Sequence, residues 1–135
     1  MNNDKQAFIQ GYISTALWSS VDTHPETGDD VNLDDGFEFA ADEREKLEAY
    51  AAKAFDEQER LFYQFVDDTN RDFEQAGHTF WLSTNGHGVG FFDFTDSPAA
   101  EKLSSMCDRH GMLVAIYKGF DLYLGDDCLI YVLQK

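Results

Sequence analysis

Positive charge is scarce in this chain of 135 residues: ten Lys and Arg stand against 26 Asp and Glu, a formal charge of −16. That balance argues against direct binding to nucleic acid or to an anionic membrane, since both demand a positive surface. It leaves a basic partner, divalent cations or plain solubility as what the acids serve. Cysteine is nearly as rare. Cys107 and Cys128 make no disulfide framework and lack metal-ligand spacing, and each lies among apolar neighbours, as a buried small residue does. No apolar run approaches the roughly 18–20 residues of a membrane span. The opening residues, MNNDKQAFIQGY, lack the basic-then-apolar order of a secretion signal. The expectation is a soluble, cytoplasmic protein without repeats or low-complexity tracts.

Aromatic and aliphatic residues are abundant. With 43% hydrophobic and 15% aromatic residues, the chain is too apolar to be disordered. Its length suits one domain with a real core. Residues 4–18 read as a helix capped by Asn3 or Asp4, with Phe8, Tyr12 and Ala16, then Ile9, Ile13 and Leu17, at helical spacing. Gly11 inside it marks close packing. Residues 21–39 read as a solvated acidic loop pinned by Val31, Leu33, Phe37 and Phe39. Between positions 22 and 45 ten acids face Arg44 alone. Residues 40–75 read as one long helix or a kinked pair, with Gly77 as its stop.

Residues 76–94, AGHTFWLSTNGHGVGFFDF, read as a central β-hairpin. Asn85-Gly86 is the dipeptide best suited to a two-residue type I′ turn, where both central residues need positive φ. In that register Leu82 faces Val89, Phe80 faces Phe91, and Trp81 lies over Gly90 on the other face. Asp96-Ser97-Pro98 opens a further helix that Gly111 closes, and residues 112–133 supply the last strands, around Gly125-Asp126-Asp127. The whole reads as a single α+β domain, an antiparallel sheet of about four to five strands with helices on one face.

Three constellations bear on chemistry. His78 falls opposite Asp93 in the hairpin register, and a carboxylate beside an imidazole can orient a general base. With His87 this gives a candidate catalytic set, without a fixed nucleophile and without a spacing that makes it a metal site. Trp81, Asp121, Asp126 and Asp127 form a candidate site at the hairpin's edge. The run from Asp30 to Gly36 is no EF-hand, because its glycine is one position late and Ala41 stands where a bidentate acid is needed. Gly86, Gly88 and Gly90 alternate along the chain rather than opening a helix, so they make no phosphate loop. Nothing in the sequence calls for a cofactor.

Phe8, Gly11-Tyr12 and Ala16-Leu17-Trp18-Ser19-Ser20 begin a recognisable pattern. It continues with Ala76-Gly77-His78, Phe80-Trp81-Leu82, Asn85-Gly86-His87-Gly88, Gly90-Phe91 and Asp93, then Asp121-Leu122-Tyr123, Gly125-Asp126-Asp127 and Ile130-Tyr131. In these residues the chain resembles a group of small acidic proteins of bacteriophages and mobile elements. The acidic loop and the middle helices match in character alone, and Cys128 stands where glycine is expected in that group. The resemblance brings no activity and no catalytic residue. It implies a phage or mobile-element origin and action inside a bacterial host.

Charge and resemblance together give the leading expectation, a non-enzymatic inhibitor that evades host defence. Its acidic face would mimic DNA and occupy the basic channel of a CRISPR effector, a restriction enzyme or another nuclease. The residues expected to carry this are Asp29, Asp30, Asp34, Asp35, Asp42, Glu43 and Glu45. The alternatives are a small enzyme or ligand-binding domain using the hairpin, and a structural or assembly protein. The chain is expected to be a monomer or a homodimer.

Overall fold

The computed structural model of the chain describes residues 3–86, 88–107 and 115–135. In order, the elements are α1 (Asn3–Trp18), β1 (Val21–Thr23), β2 (Asp30–Asn32), α2 (Glu43–Glu57), α3 (Glu59–Thr69), α4 (Phe73–Asn85), a 3-10 turn (Phe91–Asp93), α5 (Pro98–Met106), β3 (Phe120–Leu124) and β4 (Ile130–Gln134). The class is α+β, as expected. The described strands form two separate antiparallel pairs, β1–β2 and β3–β4, rather than one sheet.

The stretch expected to be the central hairpin is a helix. Residues 76–85 belong to α4, which begins with a reciprocal cap: the Gln75 amide N–H donates to the Asp72 carboxylate at 2.8 Å while Gln75 Oε1 accepts the Asp72 N–H at 3.0 Å. Gly86 ends the helix at φ 68°, so the left-handed residue that reads as a hairpin turn is a C-cap instead. The facing pairs of the hairpin register therefore do not exist, and the central strands of the expected sheet are lost with them. Ala76, Gly77, Thr79 and every residue from Phe80 to Thr84 are buried, which erases the polar stripe that betrays a helix. The Thr79 and Thr84 hydroxyls donate to carbonyls one turn back, at 2.9 and 3.0 Å, so polar groups inside the helix are satisfied.

Gly77 does not stop a helix; with Gly11 it lets α1 and α4 cross at backbone contact. A Cβ on Gly11 would fall on the Glu74 carbonyl, and one on Gly77 on the Phe8 carbonyl. Beneath this crossing, Phe8, Phe55, Phe62, Phe80 and Phe91 form a continuous aromatic core, with Phe8 and Phe62 centroids 4.6 Å apart. The kinked-pair reading of the middle helices holds. Gln58 breaks the run between α2 and α3, and Asn70, at φ 55°, caps α3. Ser97 caps α5 as expected, its Oγ accepting the Ala100 N–H at 3.1 Å with Pro98 in the first turn. The expected closure at Gly111 lies outside the described residues.

The acidic segment is not all loop: it carries the β1–β2 hairpin, while most of its acids are exposed and Leu33, with Val31, Phe37 and Phe39, pins it to the core as expected. Its β1–β2 hairpin lies against β3, where the Leu124 N–H donates to the Asp22 carboxylate at 2.7 Å. Residues 38–40 line the other edge, β4: Ala40 donates to the Ile130 carbonyl at 2.9 Å and Ile130 to the Glu38 carbonyl at 2.8 Å. Within β3, Phe120, Leu122 and Leu124 face inward opposite Val132 and Ile130, the alternation expected of a half-buried pair. Among the described residues, no helix is long and apolar enough to cross a membrane.

Candidate functional site

These edge contacts set two acidic stretches side by side. Residues 22–45 carry ten acids and residues 121–127 carry three, against Arg44 alone; the other thirteen acids share the molecule with nine bases. Counted along the sequence, the two stretches carry a net −12 and the rest of the chain −4. Asp29, Asp30, Asp34, Asp35, Asp42 and Glu45 are all exposed, together with Glu26, Glu38, Asp121, Asp126 and Asp127. Compensation comes from Lys46, paired with Glu43, and Lys135, 3.7 Å from Asp121, while Arg44 lies 3.5 Å from Glu48.

Glu43 departs from the expected surface set. It is 7% exposed, one oxygen accepting the Val132 N–H at 3.2 Å and the other paired with Lys46. The bond from Lys46 holds its carboxyl below the ordinary value of 4.5; burial pushes the other way, and the Val132 N–H adds to the lowering. Glu43 therefore fastens α2 to β4 rather than facing a partner. Asp127 is likewise tied, by the Tyr131 hydroxyl at 2.6 Å and the Leu129 N–H at 3.1 Å, and the Tyr131 bond lowers its carboxyl most.

The candidate catalytic set is not assembled. Without a strand there is no cross-strand register to put His78 opposite Asp93. Asp93 instead accepts the Gly90 N–H at 2.8 Å in the 3-10 turn. His87 lies outside the described residues. Trp81 is core, 2% exposed, edge-on to Tyr12 at 5.2 Å, and its indole N–H donates to the Ser19 hydroxyl at 2.9 Å. It offers no open ring beside Asp121, Asp126 and Asp127.

His78 has a different setting. Its Nδ1 lies 2.8 Å from the Thr15 hydroxyl oxygen, and that hydroxyl donates to the Gly11 carbonyl at 2.7 Å. With the Thr15 proton on the Gly11 carbonyl, the Thr15 oxygen is placed to accept from Nδ1, the tautomer that leaves the lone pair on Nε2. The ring stacks on Trp18, 5.6 Å between centroids, and Trp18 is 50% exposed. Beside them an open groove of about 470 Å³ is lined by Ser14, Trp18, Arg71, Glu74, Gln75 and His78. Burial first, and the Arg71 charge second, lower the imidazole pKa from its usual 6.5, which favours the neutral ring.

Residues that make this groove were visible singly in the sequence, but the contact between positions 15 and 78 was not. The same holds for Cys128. Cys107 is buried as expected, whereas Cys128 is half-buried in the β3–β4 turn with its sulfur 3.8 Å from His24 Nε2, a residue 104 positions earlier. The fold and these sites define a small acidic α+β domain. Compared with known families, curated proteins and solved structures, the chain matches none.

Proposed function

We propose that this chain is a binding protein of phage or mobile-element origin that blocks a basic host protein through its acidic end. The target class is a nucleic-acid-binding defence protein, a CRISPR effector or a restriction nuclease, whose DNA channel the carboxylates occupy in place of phosphates. The observation that carries this reading is the concentration of charge: two stretches of sequence that together hold thirteen acids and Arg44 are joined by the Asp22–Leu124 and Glu38–Ile130 bonds, with Lys46 and Lys135 as the bases paired to them. Such a field steers a cationic partner and weakens as salt shortens the Debye length from ~10 Å at 0.1 M to ~3 Å at 1 M.

The test is capture of the target from bacterial lysate on the immobilised chain, followed by elution with salt and, separately, with duplex DNA. Both elute a DNA-channel partner. Changing Asp29, Asp30, Asp34, Asp35, Asp42 and Glu45 to Asn or Gln abolishes capture while the melting temperature holds. Binding that survives molar salt, or that survives these substitutions, removes the reading.

A second reading rests on the setting of His78, between the Thr15 hydroxyl and the exposed Trp18 ring at the edge of the groove. A lone pair on Nε2 beside an exposed indole is a ligand-binding arrangement, and it replaces the His78–Asp93 pairing of the enzymatic alternative. Under this reading His78→Ala loses ligand binding by much more than the small stability change that removing its Thr15 bond brings.

A further inference from the structure

Within the acidic end, the turns of the two strand pairs meet, and there ligand atoms from distant parts of the chain converge. His24, Glu26 and Cys128 each offer one such atom, all within 4.8 Å of one another. The 3.8 Å between Nε2 and Sγ is close to the ~3.5 Å that two such atoms keep on one tetrahedral zinc, with bonds of about 2.0–2.1 and 2.3 Å. We propose that His24 Nε2, a Glu26 carboxylate oxygen and the Cys128 sulfur form a binding site for a divalent ion of the zinc class, with the fourth position open to solvent.

The donor set selects the ion. A thiolate and an imidazole favour zinc or cobalt, whereas calcium and magnesium demand oxygen. A second observation concerns the backbone. Cys128 sits at φ 63°, a region where glycine is at ease and any other residue costs of order 1 kcal/mol. Its sulfur lies toward His24, 3.8 Å from Nε2. The surrounding carboxylates, Asp126 and Asp127 in the same turn, raise the local concentration of cations.

Binding also has a structural consequence. His24 Nδ1 accepts the Glu26 N–H at 3.1 Å and the Thr27 N–H at 3.4 Å, which leaves the ring proton on Nε2, directed at the sulfur. Ligation through Nε2 moves that proton to Nδ1, and the Cys128 thiol gives its proton to solvent as the metal–sulfur bond forms. The two long backbone bonds then break, and the 24–27 turn rearranges.

The experiment adds cobalt(II) to the full chain after removal of metals by a chelator. The expected result is a thiolate-to-cobalt charge-transfer band that saturates at one equivalent and is displaced by zinc. Cys128→Gly is the decisive variant, because glycine suits this backbone and the fold survives. It loses the band, and its zinc affinity falls at least about tenfold. Cys107→Ser keeps both. On zinc addition the amide signals of Glu26 and Thr27 move. Absence of the band overturns the proposal. Equal zinc affinity in Cys128→Gly overturns it too, because exposed carboxylates alone then hold the ion. Cys128 carries none of the negative charge proposed to meet the partner, so capture of that partner by Cys128→Gly separates failure of this site from failure of that reading.

Discussion

In the helical body, Phe62 meets the rings of Phe8, Phe55, Phe80 and Phe91. At the acidic end, Glu43 is nearly as hidden, yet it is held by one backbone N–H and one ammonium. The body coheres mainly through apolar area and close approach, though it also holds His78, whose titration is shifted. The end is made of strand pairs of three and five residues, joined to each other and to the body by carboxylate-to-backbone bonds from Asp22 and Glu43. Short strands with little core of their own need such ties. The difference teaches that some acids at this end are architecture and others are surface, and that composition alone does not separate them.

The comparison breaks first in the body. Phe62→Ala removes a ring from the centre of the core and should cost about 3–5 kcal/mol in denaturant unfolding. That is a large share of the ~5–15 kcal/mol that a domain has. Gly77→Ala comes next, at about 1–3 kcal/mol, because the added methyl meets the Phe8 carbonyl and not a movable side chain. If either variant unfolds like the parent chain, the α1–α4 crossing is not what holds the body.

The acidic end is sharpened by a pair of neighbours. Glu43→Ala strands the Val132 N–H and should cost about 1–3 kcal/mol, whereas Glu45→Ala, two residues on and exposed, should stay within about 0.5 kcal/mol. Equal losses would erase the distinction between structural and surface acids.

Acid should then act on the two regions in separate windows. His78 is depressed from 6.5, so the unfolded chain takes its proton first, and the stability this contributes is present above about pH 6.5 and lost as pH falls through the lowered value. Glu43 is depressed from 4.5, so its contribution is present above about pH 4.5 and lost below, through its own lowered value. Following amide signals during a pH titration should show changes near Thr15 and His78 before those near Val132. Simultaneous loss would mean one cooperative unit.

Much of the body is legible in the sequence. The period of Phe8, Tyr12 and Ala16 and the Ser97-Pro98 cap are local signals, and local physics decides them, whereas the place where the middle helices part, Gln58, is marked by neither glycine nor proline. Helix α4 is not legible in this way. Asn85-Gly86 suits a hairpin turn and a helix C-cap equally, since both need positive φ, and burial on every side of α4 removes the polar face that would arbitrate. Asn85 itself is recruited by tertiary structure: its side-chain carbonyl accepts the Phe120 N–H at 3.1 Å and ties α4 to β3. The site residues fail for the same reason. Glu43 gains its meaning from Val132, His78 from Thr15 and Cys128 from His24, and no window along the sequence contains both members of any of these pairs.

The smallest effect on stability belongs to the exposed acids, and for that reason it says the most about function. Asp29, Asp30, Asp34 and Asp35 are all exposed around the tip and exit of the β1–β2 hairpin. Changing all four to Asn removes four of the thirteen negative charges from this end. Each change should move stability by no more than about 0.5 kcal/mol, and relief of like-charge repulsion should make the sum neutral or favourable at low salt. A scaffold under selection for stability alone has no reason to keep such repulsion. A rise in melting temperature at low salt that vanishes at high salt would show that these carboxylates strain the fold. A fall would place them among its supports, beside Asp22 and Glu43, and would remove them from the surface that meets a partner.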